Sequence, residues 1–138
     1  MQLHSHRWLW LVIVLVLSVS ANADNWPAWR GPRGDGTCTE KGLPISWSTT
    51  ENVVWKVKLP ERGNSTPIVW GDRVFVTQAI EKEGRRTLMC FDRNNGEPLW
   101  QKGTEWNEKE PTHGTNPYCS SSPVTDGERV VVWYGSAG

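Results

Sequence analysis

Several things are scarce in this sequence, and each scarcity excludes something. It has only 3 Cys in 138 residues, with no C-x-x-C spacing, so neither a cysteine zinc ribbon nor a thioredoxin-type pair is present. It has no charge excess: 15 Lys+Arg against 15 Asp+Glu give a net charge of zero. Nothing electrostatic therefore points to nucleic acid or to an anionic membrane surface. It has no sustained 3.6-residue apolar period, which argues against a helical bundle. It has one long apolar run, Trp8 to Leu17, about half of the roughly 20 residues that span a bilayer. Tryptophan is the abundant aromatic: 10 Trp stand against 2 Tyr and 2 Phe, beside 13 Gly and 9 Pro. That composition favours turns and short strands, and it is too apolar for a disordered chain.

The apolar run has a processing logic. Arg7, with His4 and His6, precedes it, and Ser18-Val19-Ser20-Ala21-Asn22-Ala23 follows. Ala21-Asn22-Ala23 is a small-x-small site, so residues 1–23 are expected to be a signal peptide cleaved after Ala23, with Asp24 first in the mature chain. The expected location is periplasmic or secreted, with membrane contact only through the export signal. Export makes an oxidising compartment. Cys90, in the apolar run Thr87 to Asp92, is expected to be a buried hydrophobe. Cys38 and Cys119 lie in loop-like sequence and are able to pair, though sequence alone does not decide it.

Beyond residue 50 the chain alternates short apolar runs with turn signals, the all-β pattern. Expected strands are Asn52 to Leu59, Thr66 to Trp70, Arg73 to Ala79, Arg86 to Asp92 and Glu97 to Gln101. Gly71-Asp72 marks a hairpin, and Asn94-Asn95-Gly96 a turn whose residues tolerate positive φ. Pro98 suggests an edge strand, because it cannot donate to an inner ladder. Two blocks repeat at an offset of 56: Ser65 to Val76 and Ser121 to Val132, sharing Pro67/Pro123, Gly71/Gly127, Arg73/Arg129 and Val74/Val130. Val54-Trp55-Lys56 matches Leu99-Trp100-Gln101 at an offset of 45, so a polar insertion of 11 residues falls between Trp100 and Pro123. Four short strands per repeat of about 40–45 residues is a propeller-blade signature. In such a fold Trp55 and Trp100 are expected to fill gaps between neighbouring sheets.

These motifs resemble the PQQ-like (quinoprotein-type) β-propeller repeat family. The resemblance rests on S-[ST]-P-[IV]-x-x-G-[DE]-R-V-x-V and on Leu88-Met89-Cys90-Phe91-Asp92-Arg93-Asn94-Asn95-Gly96-Glu97-Pro98-Leu99-Trp100, where Asn95 replaces the usual Thr before Gly96. The opening Asn25-Trp26-Pro27-Ala28-Trp29-Arg30-Gly31-Pro32 and Gly42-Leu43-Pro44-Ile45-Ser46-Trp47-Ser48 resemble secreted planctomycete-type bacterial members. After the signal peptide (1–23), the expected organisation is an extended segment (24–50) and incomplete propeller blades (51–138). The fold class is all-β, a partial β-propeller of four-stranded antiparallel blades, about two and a half of the four to eight in a closed ring. The chain would be the N-terminal part of a longer protein. The Trp55 strand would be an outermost strand, and residues 122–134 the inner hairpin of the second blade.

The candidate chemistry is sparse. A quinoprotein dehydrogenase would use PQQ and calcium, but the sequence has neither adjacent cysteines nor acidic residues at calcium-loop spacing. Asp35, between Gly34 and Gly36, suits a solvated turn, and Asp92 a turn cap. Ser120-Ser121-Ser122 lacks a G-x-S-x-G context, and His113 alone makes no triad. Asn64-Ser65-Thr66 is a formal glycosylation sequon. Arg30, Arg33 and Lys41, interleaved with Trp26 and Trp29, suit an anion or glycan contact or a tail packed on the propeller rim. The favoured expectation is a non-catalytic extracytoplasmic module that binds a protein or glycan partner, with no catalytic residue, metal or cofactor of its own. The alternative is a fragment of a PQQ-dependent dehydrogenase. The repeat positions expected to matter are Trp55, Trp100, Pro67, Pro123, Gly71, Gly127, Asp92 and Gly96.

Overall fold

A computed structural model describes residues 24–138. The export segment and its cleavage position at Ala23 lie outside those residues. Strands β1 (Ile68–Trp70), β2 (Arg73–Ile80), β3 (Arg85–Asp92) and β4 (Pro98–Glu105) form one antiparallel sheet in sequence order. Strands β5 (Val124–Thr125) and β6 (Val130–Val131) form a second, two-stranded sheet. Among the described residues the helical content is two single 3-10 turns, Glu81–Glu83 and Gly135–Ala137. The chain is therefore all-β, and a four-stranded meander followed by a second hairpin is the arrangement of adjacent propeller blades.

Side-chain alternation divides the first sheet into two faces. The pairs Ile68↔Phe75, Phe75↔Cys90, Thr77↔Leu88 and Cys90↔Trp100 place these residues on one face, here called the front. Val76, Gln78, Thr87 and Phe91 occupy the back. Ile68, Phe75, Leu88 and Cys90 are buried as one apolar cluster, with Trp70, Trp100, Val130 and Val132 packed against it. The two valines come from β6 and the residue after it, so the front face is where the two sheets meet. Each fully buried aliphatic or aromatic side chain contributes about 1.5–3 kcal/mol there. Phe75 and Trp100 meet at 5.9 Å with a 50° tilt, a favoured aromatic geometry.

The back face is covered by the chain that leads into β1. Gln78, essentially fully buried, accepts a hydrogen bond at Oε1 from the Glu61 N–H at 3.0 Å. Asn52 to Leu59, expected as a strand, forms no ladder among the described residues, and Val54 is 87% exposed. The alternation is in the sequence, but a strand exists only where a second backbone accepts its hydrogen bonds.

The segment at Trp26 joins the two sheets. Trp26 and Val69 exchange backbone hydrogen bonds of 2.8 and 2.9 Å along the free edge of β1. The next residue reaches the second sheet: Pro27 O accepts from Thr125 N at 2.9 Å. Asn25 Oδ1 accepts from Gly71 N at 2.7 Å. One short stretch thus satisfies edge groups of β1, its turn and β5.

Candidate functional site

The front face of the first sheet and the β5–β6 hairpin enclose a cleft of about 840 Å³. Its floor is aromatic and apolar, with Trp70, Phe75, Leu88 and Trp100 from the first sheet and Val130, Val132 and Tyr134 from the hairpin side. Arg73, Lys102 and Arg129 line it as well, opposed by Asp72 and Glu128. Arg73, Lys102 and Arg129 form no ion pair with a carboxylate among the described residues. Lys102 Nζ sits 5.6 Å from the Trp100 ring centroid, a contact worth about 0.5–1 kcal/mol where exposed. The repeat puts Arg73 and Arg129 at matching positions, which is the sequence signal by which they could have been found. Lys102 carried none.

Tryptophans close on glycines around this site. Trp70 lies over Gly127, where an added Cβ would collide with the indole. Trp55 covers Gly96 in the same way, with a Cβ there 2.6 Å from Trp55 Cε3, and its Nε1–H donates to Arg93 O at 2.7 Å. Gly96 and Gly127 have φ of 75° and 97°, so each position needs glycine for its backbone and for the ring above it. Trp100 instead stands in the front-face cluster. Trp55 and Trp100, matched in sequence, thus occupy different surroundings: a turn for the first, the seam between sheets for the second.

The remaining repeat positions fall at the corners of the two hairpins. Pro67 and Pro123 immediately precede β1 and β5, and Gly71 and Gly127 sit in the turns that follow those strands. Thr66 and Ser122, equivalent in the repeat, touch: Thr66 N donates to Ser122 Oγ at 2.8 Å. Asp92 Oδ1 accepts from Asn94 N at 2.7 Å, and Asp92 O from Gly96 N at 2.9 Å, which closes the turn between β3 and β4.

The insertion between Trp100 and Pro123 folds over the upper end of the front face. Arg86, 3% exposed, lies 4.0 Å from the Tyr118 ring centroid. The Tyr118 hydroxyl donates to Glu110 O at 2.7 Å and accepts from Glu110 N at 2.9 Å. The Thr77 hydroxyl is shared between Cys119 O and Ser121 O at 3.1 and 3.0 Å. All three cysteines are free thiols, Cys90 and Cys119 buried and Cys38 partly so. Burial pushes the Cys119 thiol up to about 11, against a smaller opposite pull from Arg86. Burial, reinforced by the neighbouring Cys119, pushes the Tyr134 hydroxyl up to about 12. Neither group is a nucleophile at neutral pH.

The other polar candidates are engaged locally. Asp35 accepts from Thr37 N at 2.8 Å and Thr37 Oγ1 at 2.7 Å, which holds its carboxyl below the usual range. His113 Nδ1 lies 2.8 Å from Thr115 Oγ1. Asn64 Nδ2 donates to Thr115 O at 2.8 Å. Ser120 Oγ donates to Pro117 O at 2.5 Å. Arg30 stacks 5.3 Å from the exposed Trp29 ring, while Lys41 is exposed. No group of three or more His, Cys, Asp or Glu able to hold a metal occurs among the described residues. Calcium binds through six to eight oxygen ligands, and the two carboxylates of the cleft do not make that set. The residues described do not fit the metal of a quinone-dependent dehydrogenase.

A four-stranded meander and a second hairpin repeating its first turn, with a tryptophan-lined seam between them, define a propeller-type repeat protein. The family model described as outer membrane protein assembly factor BamB, a PQQ-like repeat family, matches residues 37–138, and the chain belongs to that family. No curated protein and no solved structure matches it. No helix of the described residues is long and apolar enough to cross a membrane.

Proposed function

We propose that this chain is a non-catalytic, extracytoplasmic propeller module whose inter-sheet cleft binds a protein or glycan partner. The observation that carries this reading is the composition of the cleft: aromatic floor, unpaired Arg73, Lys102 and Arg129 at its margins, and no nucleophile–base pair within it. Aromatic and Arg side chains are the residues that anchor binding interfaces, and buried thiols and phenols with raised pKa values are poor catalysts at neutral pH. The family name refers to assembly of outer membrane proteins, which agrees with a scaffolding role outside the cytoplasm. PQQ and calcium form the competing reading. Calorimetry of the exported protein with both, together with a dye-linked dehydrogenase assay on alcohols and sugars, tests it. The expected result is no heat of binding and no turnover. Saturable PQQ binding with calcium-dependent dye reduction would overturn the proposal.

A further inference from the structure

Asp24, the residue expected to become the mature N-terminus, is already held. Its backbone nitrogen donates to Glu40 Oε1 at 2.6 Å, and its carboxylate accepts from Thr39 Oγ1 at 3.0 Å. It is followed directly by Asn25, Trp26 and Pro27, the three residues that tie β1, its turn and β5 together. We propose that signal removal locks this clasp: cleavage after Ala23 creates an α-ammonium on Asp24 that pairs with the Glu40 carboxylate.

The step is a hydrolysis by the export peptidase. Water adds across the Ala23–Asp24 peptide bond, Ala23 leaves with the carboxylate, and the new Asp24 amine takes up a proton. A neutral amide donor thus becomes a cation at a site where a carboxylate oxygen already stands, and charge-assisted hydrogen bonds are the stronger kind. Arg33, which lines the same pocket as Asp24, pairs with Asp35 at 3.6 Å, and Lys41, next to Glu40 in sequence, forms no ion pair with it. Neither cation takes Glu40 away from the new ammonium. Before cleavage the Asp24 nitrogen is a neutral amide donor to Glu40, so the charge-assisted form of this bond exists only after processing.

The inference rests on cleavage after Ala23, and its test separates the two. N-terminal sequencing of the exported protein reads the cleavage: a start at Asp24 is expected, and any other start overturns both the cleavage reading and the lock. The mature chain is then compared with its N-acetylated form, which keeps an N–H donor but loses the charge. Hydrogen exchange is read at the Val69 and Thr125 amides, which donate to Trp26 and Pro27. The free amine should slow exchange at both by about two- to fivefold, the size of a partly exposed ion pair. Glu40→Gln should abolish the difference between the two forms. Equal protection with and without acetylation, or a difference that survives Glu40→Gln, would overturn the lock while leaving the cleavage standing.

Discussion

A glycine beneath a tryptophan is the smallest unit this structure depends on. Gly96 and Gly127 combine positive φ with an indole where a Cβ would sit. Gly96→Ala should therefore pay both the left-handed backbone penalty and overpacking, about 2–4 kcal/mol together. Gly34→Ala is the control: its φ is also positive, at 70°, but nothing lies within 4 Å of the added Cβ, so only about 1–2 kcal/mol is expected. Urea unfolding midpoints of the two variants read the difference directly. The turn at Asn94 to Gly96 was legible from sequence, since Asn and Gly announce positive φ. The ring above was not, because Trp55 and Trp70 lie far along the chain from the glycines they cover.

The buried thiol gives a second prediction at this scale. Cys119 titrates near 11 in the folded chain, against 9.0 unperturbed. Below pH 9 the group is protonated in both states, and its contribution to stability is constant. Above pH 9 the unfolded thiol loses its proton first, so the unfolded state is favoured and stability falls as pH rises toward 11. Cys119→Ala should flatten part of that alkaline decline, leaving the portion due to Tyr134, whose hydroxyl is pushed up to about 12, and to Cys90, whose thiol is also raised by burial. Denaturation midpoints measured from pH 8 to 11 check the sign.

The strands show where a sequence pattern suffices and where it does not. β2, β3 and the Gly71-Asp72 turn were readable, because alternation and turn chemistry coincide there. β4 runs to Glu105, four residues past the expected end at Gln101. Gly103, which looks like a breaker, faces Thr87 so closely that a Cβ would strike the Arg86 backbone, so it serves close approach of strands. Asn52 to Leu59 has the alternation but no ladder partner among the described residues. The clasp at Trp26 is a bridge of one residue and has no period to detect. Trp55 nonetheless secures its segment: Trp55→Phe should cost about 1 kcal/mol for the lost hydrogen bond to Arg93 O. Trp55→Ala should cost more, about 2–3 kcal/mol, because the ring over Gly96 goes too. Thermal unfolding of the pair separates the two contributions.

Taken as a molecule, the described residues are one four-stranded sheet and a hairpin that repeats its first turn, meeting across a seam. The family was legible from the ordered motifs, and the match over residues 37–138 agrees with it. The cleft was not legible, because its cations and aromatics come from β1, β2, β4 and the hairpin, which only folding brings together. The reading of the cleft as the working part is tested most directly by photocrosslinking in the exported protein. A photoreactive residue at position 104, inside the cleft, is compared with one at position 95, an exposed turn outside it. The account predicts a discrete partner adduct from position 104, absent from position 95 and lost when Arg73→Glu makes the cleft net negative. Equal labelling from both positions, or no adduct from position 104, would contradict it.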